Sequence, residues 1–257
     1  MSDSPNSPMI RPADIAGWPL LRIVYRTDPE GIAELLPPGI EPASEPNVHL
    51  TLYNVPVLEE PEYGVVVKVE ARYRECEGQY ALGYGIDQEA AVFISQELNG
   101  QPKYPCAIRY FRNGDHVEAR ATHQGTSFIE FSGAVTGVAE NPPEREDNEW
   151  WIKVSRAVGS VEKSYDFPPH VVRVKSRSGT AFLETVDGTL TLNDSPWDPI
   201  AHYLPVREQL SANLVTPIHR SREITLEGPL DPEAFWPHAD VIGGSRWPGS
   251  HGGPRRT

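Results

Sequence analysis

Lys103 sits in ELNGQPKYPC, residues 97–106, between Pro102 and Pro105. The chain uses five lysines against eighteen arginines, so a merely solvated cation here could equally have been an arginine. Lysine differs from arginine in being able to lose its proton and attack a carbonyl. An ordinary lysine titrates at ~10.4, so at neutral pH only about one in 2500 is the free amine. Lowering that value to ~7–8 raises the reactive fraction several-hundredfold, and either burial or a neighbouring cation does so. Two flanking prolines restrict the backbone and help to hold such a side chain in a dry cavity. One local feature opposes this: the helix read just before Lys103 presents its partly negative end, which favours the ammonium. The other reading that the spacing allows is a surface lysine in a proline-rich turn.

The remaining reactive residue types point nowhere else. Eight histidines, at 49, 116, 123, 170, 202, 219, 238 and 251, show no H-E-x-x-H or similar spacing, so no metal is expected. Cys76 and Cys106 make neither a disulfide framework nor a C-x-x-C pair, and Cys106 reads as a small buried hydrophobe. A G-x-S-x-G elbow is missing. GYGIDQ, 83–88, begins like a dinucleotide fingerprint but lacks the third glycine, and a turn before a helix accounts for its glycines. No cofactor is expected.

The elements that must position Lys103 are mostly strands. VVVKVEARYR, 65–74, alternates apolar and charged residues with the period of a half-buried strand. CAIRYFRNGDHVEARAT predicts a hairpin turning at Asn113-Gly114, and FLETVDGTLTL a second turning at Asp187-Gly188. Further strands are expected near 48–55, 126–137, 149–155, 171–176 and 221–227, with AENPPEREDNE, 139–149, as a loop. Two helices are legible. TDPEGIAELLP offers Thr27 or Asp28 as cap, Pro29 in the first turn and Pro37 as stop. DQEAAVFISQELNG offers Asp87 as cap and Asn99-Gly100 as a left-handed stop, with Ala91, Ile94 and Leu98 on one buried stripe. Many strands and few short helices predict an α+β fold on a mostly antiparallel, barrel-like sheet. Residues 15–242 are read as one domain between flexible tails, 1–14 and 243–257.

Composition narrows the partners. A net charge of −13 repels phosphate backbones, so no nucleic acid partner is expected. No apolar run approaches the ~20 residues that span a bilayer, and the N-terminus has no apolar signal core, so no membrane is expected and the location is read as cytoplasmic.

DQEAAVFISQELNGQPKYP, 87–105, resembles the acetoacetate decarboxylase family, as do IVYRTDPEGIAELLPPGIEP at 23–42 and HYLPVREQ at 202–209. The resemblance covers most of residues 20–225. It implies that Lys103 forms a Schiff base and that Glu62, in PEYG, orients substrate or moves a proton beside the imine. Where the family usually places a second lysine this chain has Tyr104. Trp18 stands at the place of a family arginine, and Thr51 at that of a second glutamate. An imine drives loss of carbon dioxide or loss of a proton, according to the bond aligned with it. The resemblance thus implies a lyase acting on small oxo acids. It implies either condensation of pyruvate with an aldehyde followed by dehydration, or decarboxylation of acetoacetate. A homo-oligomer is implied too. Trp18, Asn99, Gln101 and Tyr104 are the expected substrate-binding residues, and Arg26 is a candidate carboxylate anchor, while Arg72 and Arg109 alternate on predicted strands and are read as facing solvent. Arg26 is alternatively read as paired with Asp28 or a neighbouring strand. A non-catalytic β-rich binding domain is the competing reading.

Overall fold

The computed structural model describes residues 19–57, 60–159 and 163–239. The chain opens with β1 (Leu20–Arg26), α1 (Pro29–Leu35), β2 (Glu41–Pro42), β3 (Asn47–Val57), β4 (Glu60–Tyr73) and β5 (Cys76–Ile86). Then come α2 (Glu89–Asn99), β6 (Lys103–Pro105), β7 (Ala107–Asn113), β8 (His116–His123), β9 (Thr126–Val138) and β10 (Arg145–Arg156). It ends with β11 (Tyr165–Leu192), α3 (Ile200–Tyr203), β12 (Glu208–Pro229) and α4 (Trp236–Ala239). This is the expected α+β, strand-dominated fold.

The strands form one sheet in the order β10-β5-β4-β3-β1-β12-β11-β9-β8-β7, and β10 also pairs with β11. That last pairing closes β10, β5, β4, β3, β1, β12 and β11 into a ring. All pairings are antiparallel except β5 with β10 and β5 with β6. The long strand β11 serves two partners in turn: its first half pairs with β10 and its second with β9. A three-strand arm of β9, β8 and β7 thereby continues outward from the ring.

Alternation sorts the ring residues between two clusters. One face collects Leu20, Tyr53, Val66, Tyr84, Trp151, Val172 and Val174, contributed by six different ring strands. This is the inner face of the ring, since α1 and the arm pack against the other. The opposite face, with Leu21, Ile23, Leu50, Val65 and Val67, packs with α1 and the arm in the larger core.

The helices begin and end about where the sequence places them. Asp28 stands at the cap of α1 without a side-chain cap bond, because its carboxylate is taken by Arg207 at 2.6 Å. Likewise, Asp87 accepts from the Tyr63 N–H, and α2 starts after Gln88. Gly100, at φ 67°, closes α2 as the left-handed stop. Only Ala91 and Val92 of α2 are buried, and Ile94 and Leu98 stay 57% and 69% exposed. The helix meets the sheet along one narrow edge, beside β6 and β10, which leaves the far side of the stripe outside.

Two glycine readings are overturned by strand geometry. Asp187-Gly188 is no turn: β11 runs straight through it, pairing Gly188 with Gly133 of β9. A Cβ at Gly188 would stand 2.6 Å from the Phe131 ring and 2.7 Å from Gly133 Cα, so glycine is needed for close approach of two strands. Gly83 and Gly85 lie within β5, not in a turn, where Cβ atoms would reach Tyr104 at 2.9 Å and Cys106 at 2.8 Å. The hairpin at Asn113-Gly114 does form, with Gly114 at φ 62°. The loop expected over 139–149 gives up its second half to β10, whose Arg145–Glu149 stretch pairs with β11.

Replacing Gly188 by alanine forces a methyl against the Phe131 ring and the backbone of Ser132 and Gly133. G188A should lower stability by about 1–3 kcal/mol in denaturant unfolding, with the slope unchanged.

Candidate functional site

Lys103 is buried, as is Glu62, at 7% and 2% exposure. Lys103 Nζ donates to Glu62 Oε2 at 3.0 Å, and the Tyr53 hydroxyl donates to Glu62 Oε1 at 2.8 Å. Both carboxylate oxygens are therefore held.

The local fold explains the meeting. Strand β5, helix α2 and strand β6 form a parallel crossover that returns the chain to the edge of β5, pairing Lys103 with Tyr84. The Lys103 N–H donates to Gln101 O at 2.7 Å, and the Gln96 side chain donates to Lys103 O, which ties the start of β6 to the helix. In β4, Glu62 pairs with Val55 and lies two residues from Gly64, the partner of Tyr53. A Cβ at Gly64 would fall 2.2 Å from the Tyr53 ring, so glycine there gives that ring its path toward Glu62. The register then sets one row across the sheet: Lys103, Tyr84, Val66, Thr51 and Arg22 are successive partners on one face.

A second charged group lies on the same interior face. Glu149 accepts from Lys68, from the Tyr84 hydroxyl and from the Trp151 indole N–H. Burial would raise its carboxyl, but the Lys68 charge and these hydrogen bonds leave it below the usual range. Burial, with Glu62 and Glu149 respectively adding to it, holds the Tyr53 and Tyr84 phenols well above their ordinary values. Both phenols thus remain hydrogen-bond donors.

The other expected residues divide. Gln101 is buried and Asn99 is half-buried as the last residue of α2; both shape the turn that delivers Lys103. Tyr104 points to the opposite face, as any strand residue next to Lys103 must, and packs on His123 with ring centroids 4.9 Å apart. There His123 Nδ1 meets Asp198 Oδ2 at 2.6 Å. The expectation that Tyr104 lines the site is corrected by this alternation. Cys106 is buried as expected, and burial pushes its thiol up, away from a reactive thiolate. Trp18 lies outside the described residues, as do the expected tails at 1–14 and 243–257.

The arginines named from sequence are surface groups. Arg26 pairs with Glu208 at 3.0 Å and Glu45 at 3.4 Å rather than Asp28, and Arg72 pairs with Glu41. Arg109 is exposed, over the Phe111 ring. Tyr53, Lys68, Glu149 and Arg22 are the interior polar residues that the sequence reading missed. Among the described residues there is no cluster of histidine, cysteine and carboxylate suited to a metal, and no helix long and apolar enough to cross a membrane.

A large, mostly antiparallel sheet with few short helices is the fold of acetoacetate decarboxylases. The acetoacetate decarboxylase (ADC) family profile matches residues 2–227, and the chain belongs to that family. A solved acetoacetate decarboxylase shares 15% identity with a TM-score of 0.72, over 86% of this chain and 91% of its own. The acetoacetate decarboxylase of Legionella pneumophila gives 16%, 0.67, 87% and 91% for the same measures. The enduracididine biosynthesis enzyme MppR, solved with pyruvate, gives 17%, 0.63, 88% and 92%. MppR has also been solved with the condensation product of pyruvate and imidazole 4-carboxaldehyde, at 17% identity and a TM-score of 0.61, over 82% of this chain and 86% of its own. No curated protein matches the chain.

Removing the Glu149 charge strands Lys68 beside an apolar wall. E149Q should cost about 3 kcal/mol at neutral pH. A carboxylate lowered by folding stabilises fully above the unfolded value of about 4.5, and that contribution fades as pH falls through the lower folded value. Urea unfolding at stepped pH should therefore show the gap between wild type and E149Q closing only below about pH 4.5.

Proposed function

We propose that this protein is a Schiff-base lyase acting on small oxo acids, with Lys103 as nucleophile and Glu62 as proton carrier. The observation that carries this reading is the 3.0 Å contact between two buried groups inside the ring. The charge set against Lys103 is a carboxylate, and Tyr104 stands where the family usually has a second lysine. The free amine then arises by passing one proton to Glu62 along the existing hydrogen bond. The amine attacks the ketone, Glu62 returns its proton to the hydroxyl of the carbinolamine, and water leaves as the imine forms.

Within that class, condensation of pyruvate with an aldehyde and subsequent dehydration is the reaction we infer. Loss of a methyl proton from the pyruvate imine gives an enamine; its carbon attacks the aldehyde, and water is then eliminated. Support comes from the lining, where Tyr53, Tyr84 and Trp151 face the interior with Lys103 and could receive a flat unsaturated aldehyde. A further support is the family resemblance to MppR, which binds pyruvate and a pyruvate–aldehyde product. Decarboxylation of acetoacetate would pass through the same kind of enamine and is the alternative reaction. A homo-oligomer and a cytoplasmic location belong to the same proposal.

Borohydride added with pyruvate should leave a reduced adduct on the peptide carrying Lys103, read by mass, and none in K103M. E62Q should slow adduct formation by about a hundredfold or more, since it keeps the hydrogen-bonding shape but cannot carry the proton. An adduct elsewhere, or none in wild type, would return the protein to the class of binding domains. Incubation with pyruvate and an aromatic aldehyde should yield a conjugated product absorbing above either reactant, whereas release of carbon dioxide from acetoacetate should be the slower reaction.

A further inference from the structure

An oxo acid brings a carboxylate into the ring, and something there must balance it. The arginines first considered for this face solvent, with partners of their own. Arg22 does not. It stands on the interior face of β1, between Leu20, which belongs to the interior cluster, and Val24. It is half-buried, and among the described residues its guanidinium has neither an ion pair nor a hydrogen bond. The acid whose charge reaches it, Asp147, is already held by Arg145 at 2.7 Å. Burial first, and then the Arg145 charge, pull the Arg22 group down to about 10, the response of a cation short of an anion.

Position in the row makes the vacancy specific. Arg22 pairs with Thr51, Thr51 with Val66, Val66 with Tyr84 and Tyr84 with Lys103. At this level β6 replaces β10 on the outer edge of β5, since β10 pairs only at Gln79 and Tyr80. Lys103 and Arg22 are therefore separated by three intervening strands of a ring with seven walls, which puts them on walls that face one another, offset along the ring axis by the strand tilt. Such a ring is about 14 Å across its backbone at ordinary strand spacing and tilt. Long side chains reaching inward from facing walls of that ring can both reach a small molecule lying obliquely across it. Thr51, beside Arg22, is small and uncharged, and so leaves the guanidinium without a carboxylate neighbour on β3.

We propose that Arg22 is the anchor for the substrate carboxylate, gripping it across the ring from Lys103 and thereby selecting 2-oxo acids over neutral carbonyl compounds. The inference rests on the oxo-acid reading above. It adds a residue to it that neither the motifs around Lys103 nor the positions of Trp18 and Thr51 supply. The planar fork of arginine suits a carboxylate held through both oxygens, and that grip fixes which face of the ketone meets the amine.

Oxamate, shaped like pyruvate but with an amide in place of the ketone and methyl, tests the anchor without any imine. Wild type, R22Q and R22K are titrated with oxamate by calorimetry, with thermal melts to verify folding. R22Q should weaken oxamate by about thirtyfold or more, because a desolvated charge pair loses one partner. R22K should lie between, keeping the charge but losing the two-point grip. In parallel, borohydride trapping at Lys103 is compared with pyruvate and with acetone: R22Q should raise the pyruvate concentration for half-trapping and leave acetone trapping unchanged. The anchor is overturned if wild type does not bind oxamate, if R22Q binds it as wild type does, or if R22Q loses pyruvate and acetone trapping alike. Oxamate binding that depends on Arg22 in a wild type that traps neither ketone would uphold the anchor and retire the imine.

Discussion

The proposed chemistry depends on one hydrogen bond, between Lys103 and Glu62, in a place that water barely reaches. A buried ion pair is expensive to form, and its attraction repays the loss of hydration only when the geometry is good and the spare lone pairs are used. Here the geometry is good: 3.0 Å from nitrogen to oxygen, with Tyr53 on the second oxygen at 2.8 Å. Such an arrangement is weak support for stability, and it suits the proton transfer proposed for Glu62. The ring serves it by excluding water, and the α2 crossover by delivering the lysine from a strand edge that β10 has vacated.

Much of the site's backbone was legible in the sequence. The left-handed Gly100 that ends α2 and the proline on either side of Lys103 act over a few residues, so their meaning survives without knowledge of the fold. Lys103 and Glu62 were reached together only through a family resemblance, because 41 residues separate them and nothing local joins them. What the sequence concealed was direction. Residues 103–105 are a three-residue parallel strand, too short to show alternation, so Tyr104 was credited to the wrong side of it. Arg22 escaped notice for a related reason. Its place opposite Lys103 emerges only after four strand registers are known, each set by pairing between distant segments.

The glycine misreadings share one physical cause. Asp-Gly before a polar stretch and Gly-x-Gly before a helix both carry turn statistics, yet at Gly188 and Gly85 the missing side chain serves interstrand distance instead. Gly188 lets β11 approach β9 of the arm, and Gly85 makes room for Cys106 beside β5. The exposed stripe on α2 is the reverse case: helical periodicity correctly gave a side, and the sheet offered too little surface to cover it.

Ring closure also decides where the molecule could polymerise. Seven strands use both of their edges within the ring, and the arm ends at β7, whose outer backbone groups face away from β8. That strand carries Arg109 and Arg112, and the latter is clamped in a two-point grip on Glu184 at 2.7 and 3.0 Å. Charged side chains along a sheet edge disfavour pairing with a like strand from another copy, so Arg109 and Arg112 blunt the edge on which the arm ends.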